Sequence, residues 1–270
     1  MALPSPSADH TALVTGASSG IGTEIARELA RRGRNVTLVA RSEAKLRDLA
    51  NELTAAGVRA DVLATDLSER AQRAALPDRV TELGLTVDIL VNNAGLSTIG
   101  PVHQGDPAAE LNMIEVDVAA VADLCTRFLP GMVARRSGAV LNVASTAAFQ
   151  PIPGQAGYAA SKAFVLSYTQ ALSSELHGTR VTATALCPGP VETGFADAAG
   201  FSQGEAEGAL PGFMWESATA VARCGVAAMA AGRTVAIPGP ANQLTALFGA
   251  HAPRSLLLPL MAWRHPGMRR

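Results

Sequence analysis

The chain has 270 residues, 48% of them hydrophobic and 17% charged, enough to bury a full core as one large α/β domain spanning 1–270. A formal net charge of −1 with no block of like charges excludes a nucleic-acid footprint and directs attention to small-molecule partners. Cys125, Cys187 and Cys224 form no C-x-x-C pair and have no histidine at metal-ligand spacing, so they are read as reduced, mostly buried thiols and no metal is expected.

Residues 1–9 carry two prolines and no basic-then-apolar run, which argues against a signal peptide and makes the cytoplasm the expected compartment. Short apolar runs at 11–15, 35–40, 58–64, 87–91, 139–144, 180–186 and 234–237 are predicted strands. Between them lie helical patterns, such as 21–32 with Ile21, Ile25 and Leu29 on one face and 43–56 with Leu46, Leu49 and Leu53. Strands apolar on both faces alternating with helices imply a seven-stranded parallel sheet, doubly wound, with helices on both sides.

The first predicted strand runs into Thr15-Gly16-Ala17-Ser18-Ser19-Gly20-Ile21-Gly22 and then a helix. A turn at that point brings backbone amides and the positive helix end to a phosphate, and glycine permits the close approach. Gly16 to Gly20 also matches the G-x-S-x-G elbow of serine hydrolases. Only one strand precedes Ser18, however, so the loops that would donate an oxyanion hole are missing and the hydrolase reading is remote.

The second strand ends in Ala40-Arg41-Ser42, where a site for an unphosphorylated ribose would present an acidic residue. Arg41 suits a 2′-phosphate, which points to NADP(H). Asp66 and Leu67 after the third strand are candidates to flank the adenine, and Asn92-Asn93-Ala94-Gly95 ends the fourth.

Tyr158 and Lys162 stand four apart, one helical turn, on the same face. A nearby ammonium favours the phenolate and is expected to bring the tyrosine toward working pH. Together with the glycine turn, Asn92 to Gly95, Ser145 and Pro188-Gly189, this pair gives five motifs in order between residues 11 and 193, and the chain resembles the short-chain dehydrogenase/reductase family.

The resemblance implies Tyr158 as general acid in reduction, Lys162 on the nicotinamide ribose, Ser145 on the substrate oxygen, and a hydride supplied by the cofactor. It also implies that Pro188, Gly189 and Val191 line the nicotinamide and that Thr193 bonds its carboxamide or the pyrophosphate. Homodimers or homotetramers are the family's expectation. One position departs from the pattern: in Ile114-Glu115-Val116-Asp117 an aspartate replaces the asparagine that in the family steadies a water relay behind the lysine. Asp117 loses an amide donor, can accept from Lys162, and is expected to raise the lysine pKa.

The five histidines are scattered and read as structural. Residues 195–215, punctuated by Phe195, Phe201, Phe213, Met214 and Trp215, read as a substrate cover, and with Phe149 and Ile152 they suggest an apolar carbonyl or alcohol substrate. The extension 241–270 mixes leucines and Trp263 with arginines; it is read as packing on its own domain, with a membrane surface or a partner subunit as alternatives. From outside enzymology, the rival reading is a sensor or scaffold that binds NADP(H) without turnover, favoured by Asp117 alone.

Overall fold

The computed structural model describes residues 3–193, 212–264 and 266–268. Seven parallel strands form one sheet in the order β3-β2-β1-β4-β5-β6-β7. In chain order these are β1 (His10–Thr15), β2 (Val36–Ala40), β3 (Ala60–Ala64), β4 (Thr86–Asn92), β5 (Gly138–Val143), β6 (Val181–Leu186) and β7 (Val235–Ala236). The helices are α1 (Gly20–Arg31), α2 (Glu43–Ala55), α3 (Arg70–Glu82), α4 (Pro107–Ile114), α5 (Ala120–Arg135), α6 (Ala156–Glu175), α7 (Ala218–Ala230), α8 (Pro240–His251) and α9 (Arg254–Arg264).

All seven predicted strands are present, with ends moved by a residue or two. β6 starts at Val181 and not at Arg180 because Arg180 sits at φ 68°, a turn conformation outside any strand. The central strands are apolar on both faces because each face meets a helical layer. One core cluster joins Leu13, Leu90 and Val140 to α3, α5 and α6; the other joins Val14, Ile89 and Leu141 to α1, α2 and α7. Ile25 and Leu29 of α1 and Leu46, Leu49 and Leu53 of α2 are buried, as their spacing requires.

Strand order reverses direction of growth between β1 and β4. In a doubly wound sheet this switch point opens a crevice at the carboxyl ends of the strands, and the glycine turn after β1 and Asn93 to Gly95 after β4 both border it. The putting together of these segments is a consequence of topology, since 77 residues separate Gly16 from Asn93 in the chain.

Between α4 and α5 the helix widens into one π-helical turn, Glu115–Ala119. Such turns aim side chains that a regular helix would direct elsewhere. Asp117 lies in it. Most of the segment expected to cover the substrate, 195–215, falls outside the described residues, which resume at Gly212. Residues flanking it pair with one another, Glu216 donating its amide to Pro190 O at 3.0 Å.

Candidate active site

The glycine turn is tightly built. A Cβ on Gly16, which sits at φ +64°, would lie 2.8 Å from the Ala94 Cα, and one on Gly22 would lie 2.3 Å from Gly16 O. Only glycine fits these two points. The turn is tied to β4 through Asn93, whose Nδ2 donates to Thr15 O at 3.0 Å, and through Thr15, whose Oγ1 accepts from the amides of Asn93 (2.9 Å) and Ala94 (3.1 Å). Asn93 thus serves as a brace for the turn. Nothing in the sequence marks Thr15 as a brace, because a threonine ending a strand has no distinctive signal.

Ser19 caps α1 in extended conformation without a side-chain cap bond, and no acidic residue occupies the helix's first turn. The positive end of α1 is therefore available to an anion. Ser18 and Ile21 are part-buried beside it, and Thr193 arrives from the far side: a Cβ on Gly20 would sit 3.1 Å from its Cγ2. Val191 packs against the second core cluster. The segments after β1 and β6 consequently face one another.

Arg41 and Ser42 are exposed at the end of β2. Asp66 is held below the usual carboxylate range: partial burial opposes this, but hydrogen bonds from Ser68 and the Arg41 charge outweigh it. Its Oδ1 accepts from the Ser68 amide at 2.9 Å and hydroxyl at 2.7 Å. Leu67 turns its side chain into the core, and its carbonyl accepts from Arg73. Pro188 O accepts from the Thr146 amide at 2.8 Å, which ties the end of β6 to the loop after β5. Gly189 lies against Asn242, where a Cβ would come within 2.2 Å of Asn242 Oδ1. Asn242, buried and donating to Met214 O at 3.1 Å, is a contributor that no motif announced.

The titratable cluster lies at the carboxyl ends of β4 and β5. Ser145 follows β5, and its hydroxyl accepts from the Ala147 amide at 3.1 Å and shares a hydrogen bond with Tyr158. Tyr158 and Lys162 share one face of α6, with Lys162 Nζ 5.5 Å from the tyrosine ring centre. Lys162 is buried, and its Nζ makes a 2.9 Å ion pair with Asp117 Oδ2, while Asp117 Oδ1 accepts from the Leu96 amide at 2.7 Å. Gly95 packs on this pair: a Cβ there would be 3.0 Å from Nζ.

Burial opposes the Lys162 ammonium, but the Asp117 carboxylate outweighs it and holds the lysine above its ordinary range, as expected. The tyrosine behaves differently from expectation. Burial pushes the Tyr158 phenol up; Lys162 and the Ser145 hydrogen bond pull it down, and Asp117 pushes it up again. The ammonium acts in the anticipated direction without prevailing, because the burial of the phenol outweighs it and Asp117 adds to the upward push.

Beneath the cluster runs a buried polar chain that sequence reading missed. Asn92 Nδ2 donates to Asn142 Oδ1 at 2.8 Å, and Asn142 Nδ2 to Thr169 Oγ1 at 2.9 Å, joining β4, β5 and α6. Two asparagines inside apolar strands were the available signal. A separate cavity of about 450 Å³ is lined by Phe149, Ile152, Ala160, Ala163, Arg254 and Leu258 among others, and none of Ser145, Tyr158 and Lys162 lines it. Cys125 and Cys187 are free and buried, and burial pushes both thiols up to about 12, so neither is a nucleophile.

Residues 10–202 match the family model described as short chain dehydrogenase. The chain belongs to this family. A short chain dehydrogenase of Pseudocercospora fijiensis is 42% identical over 186 residues, 68% of this chain and 60% of that protein, so the match spans well under two thirds of the relative's length. A variant of the actinorhodin polyketide ketoreductase, solved with NADPH, superposes with a TM-score of 0.77 at 34% identity, covering 89% of this chain and 99% of the other. A short chain dehydrogenase/reductase of Burkholderia phymatum, solved with NAD, gives 0.79 at 30% identity, covering 88% and 92%. This short-chain dehydrogenase/reductase is therefore a Rossmann-like oxidoreductase whose structural neighbours hold nicotinamide dinucleotides of both kinds.

Proposed function

We propose that this short-chain dehydrogenase/reductase interconverts a carbonyl and an alcohol with NADP(H), on an apolar substrate. The observation that carries the reading is the convergence of Ser145, Tyr158 and Lys162 at the strand ends, beside a glycine turn built for a phosphate.

The residues present fit the cofactor. Gly16, Gly20 and Gly22 permit close backbone approach, the uncapped start of α1 with Ser18, Ser19 and Ile21 receives the pyrophosphate, and exposed Arg41 with Ser42 receives a 2′-phosphate. Asp66 and the Leu67 backbone flank the adenine, Ala94 and Gly95 the adjoining ribose, and Pro188, Gly189, Val191 and Thr193 the nicotinamide. When bound, the nicotinamide supplies or accepts the hydride.

The protein's own groups manage the proton. In reduction, the Ser145 hydroxyl donates a hydrogen bond to the carbonyl oxygen, and the Tyr158 hydroxyl delivers its proton to that oxygen as it becomes an alkoxide. A phenol held high by burial stays protonated at neutral pH, which suits the reductive direction. Lys162, kept charged by Asp117, holds the ribose and stabilises the phenolate left behind. Phe149 and Ile152, which lie between Ser145 and Tyr158 in the chain, are the residues that favour an apolar substrate.

The test is a screen of ketones, aldehydes and 3-oxoacyl thioesters, followed by loss of the reduced-nicotinamide absorbance, with Tyr158→Phe in parallel. Turnover by the wild type that disappears in the variant supports the reading. Tight NADPH binding with no turnover across the screen would favour a non-catalytic binder instead, and absence of NADPH binding would end both.

A further inference from the structure

The two C-terminal helices turn apolar side chains away from the domain. In α9, Leu256, Leu260 and Trp263 stand at i, i+4 and i+7, which is one stripe along the helix, and Leu256 and Trp263 are 72% and 70% exposed. Leu257, about a quarter of the way round the helix, is buried, and Leu258 on the opposite side lines a cavity with Phe149 and Ala163. The helix is thus apolar both where it meets the domain and where it meets solvent, a pattern that calls for a second partner. In α8, Leu244, Leu247 and Phe248 at i, i+3 and i+4 are likewise exposed, while Asn242, Ala246 and Gly249 face inward.

Charge decides what that partner is. No Asp or Glu occurs after Glu216, and from Pro240 onward the chain carries Arg254, Arg264, Arg269 and Arg270. Arg254 is pinned at the start of α9 by donating to Gly249 O at 2.6 Å and Phe149 O at 3.3 Å. A second copy docking α8 and α9 on themselves about a two-fold axis would set like charge against like charge, since the sequence after Glu216 holds arginines and no carboxylate. An anionic bilayer offers what the face lacks: phosphates for the arginines and an acyl boundary for leucine, phenylalanine and tryptophan.

We propose that α8 and α9 form a docking surface for anionic phospholipid membranes, with the apolar stripe entering the headgroup boundary and Arg254 meeting lipid phosphates. The helices lie on the bilayer and do not cross it, since no described helix is long and apolar enough to span one.

Cosedimentation of the purified full chain with vesicles tests it, using phosphatidylcholine alone and an equal mixture with phosphatidylglycerol. Binding is expected to the mixed vesicles only, to be lost at about 1 M salt, where the Debye length is ~3 Å, and to fall about fivefold for Arg254→Gln. The variant Leu256→Glu/Leu260→Glu/Trp263→Glu is expected to lose binding while keeping its NADPH affinity. Should that variant fail to fold, burial of Trp263 read by brominated-lipid quenching in Trp215→Phe replaces it. Failure of the wild type to bind mixed vesicles overturns the proposal. So does dissociation of a wild-type oligomer by the triple variant with vesicle binding unchanged, which would assign the face to a second copy.

Discussion

At the scale of single residues, the ion pair between Asp117 and Lys162 sets this site apart from the pattern its family follows. Replacing the carboxylate by an amide in Asp117→Asn removes a charge that pushes Tyr158 up and one that holds Lys162 up. Both groups then lose protons at lower pH. Alcohol oxidation, which needs the phenolate, should rise at lower pH than in the wild type, and carbonyl reduction, which needs the phenol, should begin to fall at lower pH. The maximal rate should change by less than about tenfold; pH–rate profiles in both directions check this, and superimposable profiles would place Asp117 outside the proton path. Tyr158→Phe should lower kcat by at least ~100-fold with NADPH affinity nearly unchanged, because it removes a proton donor and little else. Arg41→Ala should weaken NADPH but not NADH by about ten- to a hundredfold, the worth of one charge-assisted hydrogen bond. Calorimetric titration of both cofactors would show it, and equal losses for the two would remove Arg41 from the 2′-phosphate.

At the scale of elements, the turn between β1 and α1 is held by β4 as much as by its own glycines. Gly22 has ordinary helical geometry, so alanine there is not strained by φ; its Cβ instead meets Gly16 O at 2.3 Å and Asn93 Nδ2 at 2.4 Å. The turn must open to admit it. Gly22→Ala should therefore lower stability by about 1–3 kcal/mol, as overpacking does, and abolish measurable cofactor binding. Urea unfolding and NADPH titration test the two effects separately; retention of wild-type affinity would show that the turn yields. The helices themselves were legible because each shows a core-facing stripe, whereas the π turn that aims Asp117 was not, since insertion of one residue into a helical turn leaves no periodic mark in so short a stretch.

At the scale of the whole molecule, the chemistry gathers at the carboxyl ends of the strands, and a second buried charge cluster closes the opposite end of the sheet. There Asp88 on β4 lies 3.5 Å from Arg34 and 3.4 Å from His10, and burial pushes its carboxyl up against the pull of both partners. Arg34→Met should destabilise the fold by about 3–5 kcal/mol at neutral pH, because it leaves a buried carboxylate without its cation. Part of this should return as pH falls through the raised carboxyl value, since protonation removes the unpaired charge. Urea midpoints across pH check both statements.

The amino-acid sequence by itself determined the strands, the sheet class and the motif residues, because burial on both faces and close backbone approach leave local marks: runs of valine, leucine and isoleucine, and glycines where a Cβ has no room. Only the tertiary structure decided which distant residues meet. Thr15 with Asn93, Asn92 with Asn142 and Thr169, and Arg34 with Asp88 are joined by strand order, not by spacing. The tyrosine's direction of shift was set in the same way, since a charge that answers the lysine arrives from another helix and burial depends on everything packed around it. Local pattern reports what each segment needs to bury; the partners that satisfy buried polar groups and charges are chosen when the sheet assembles.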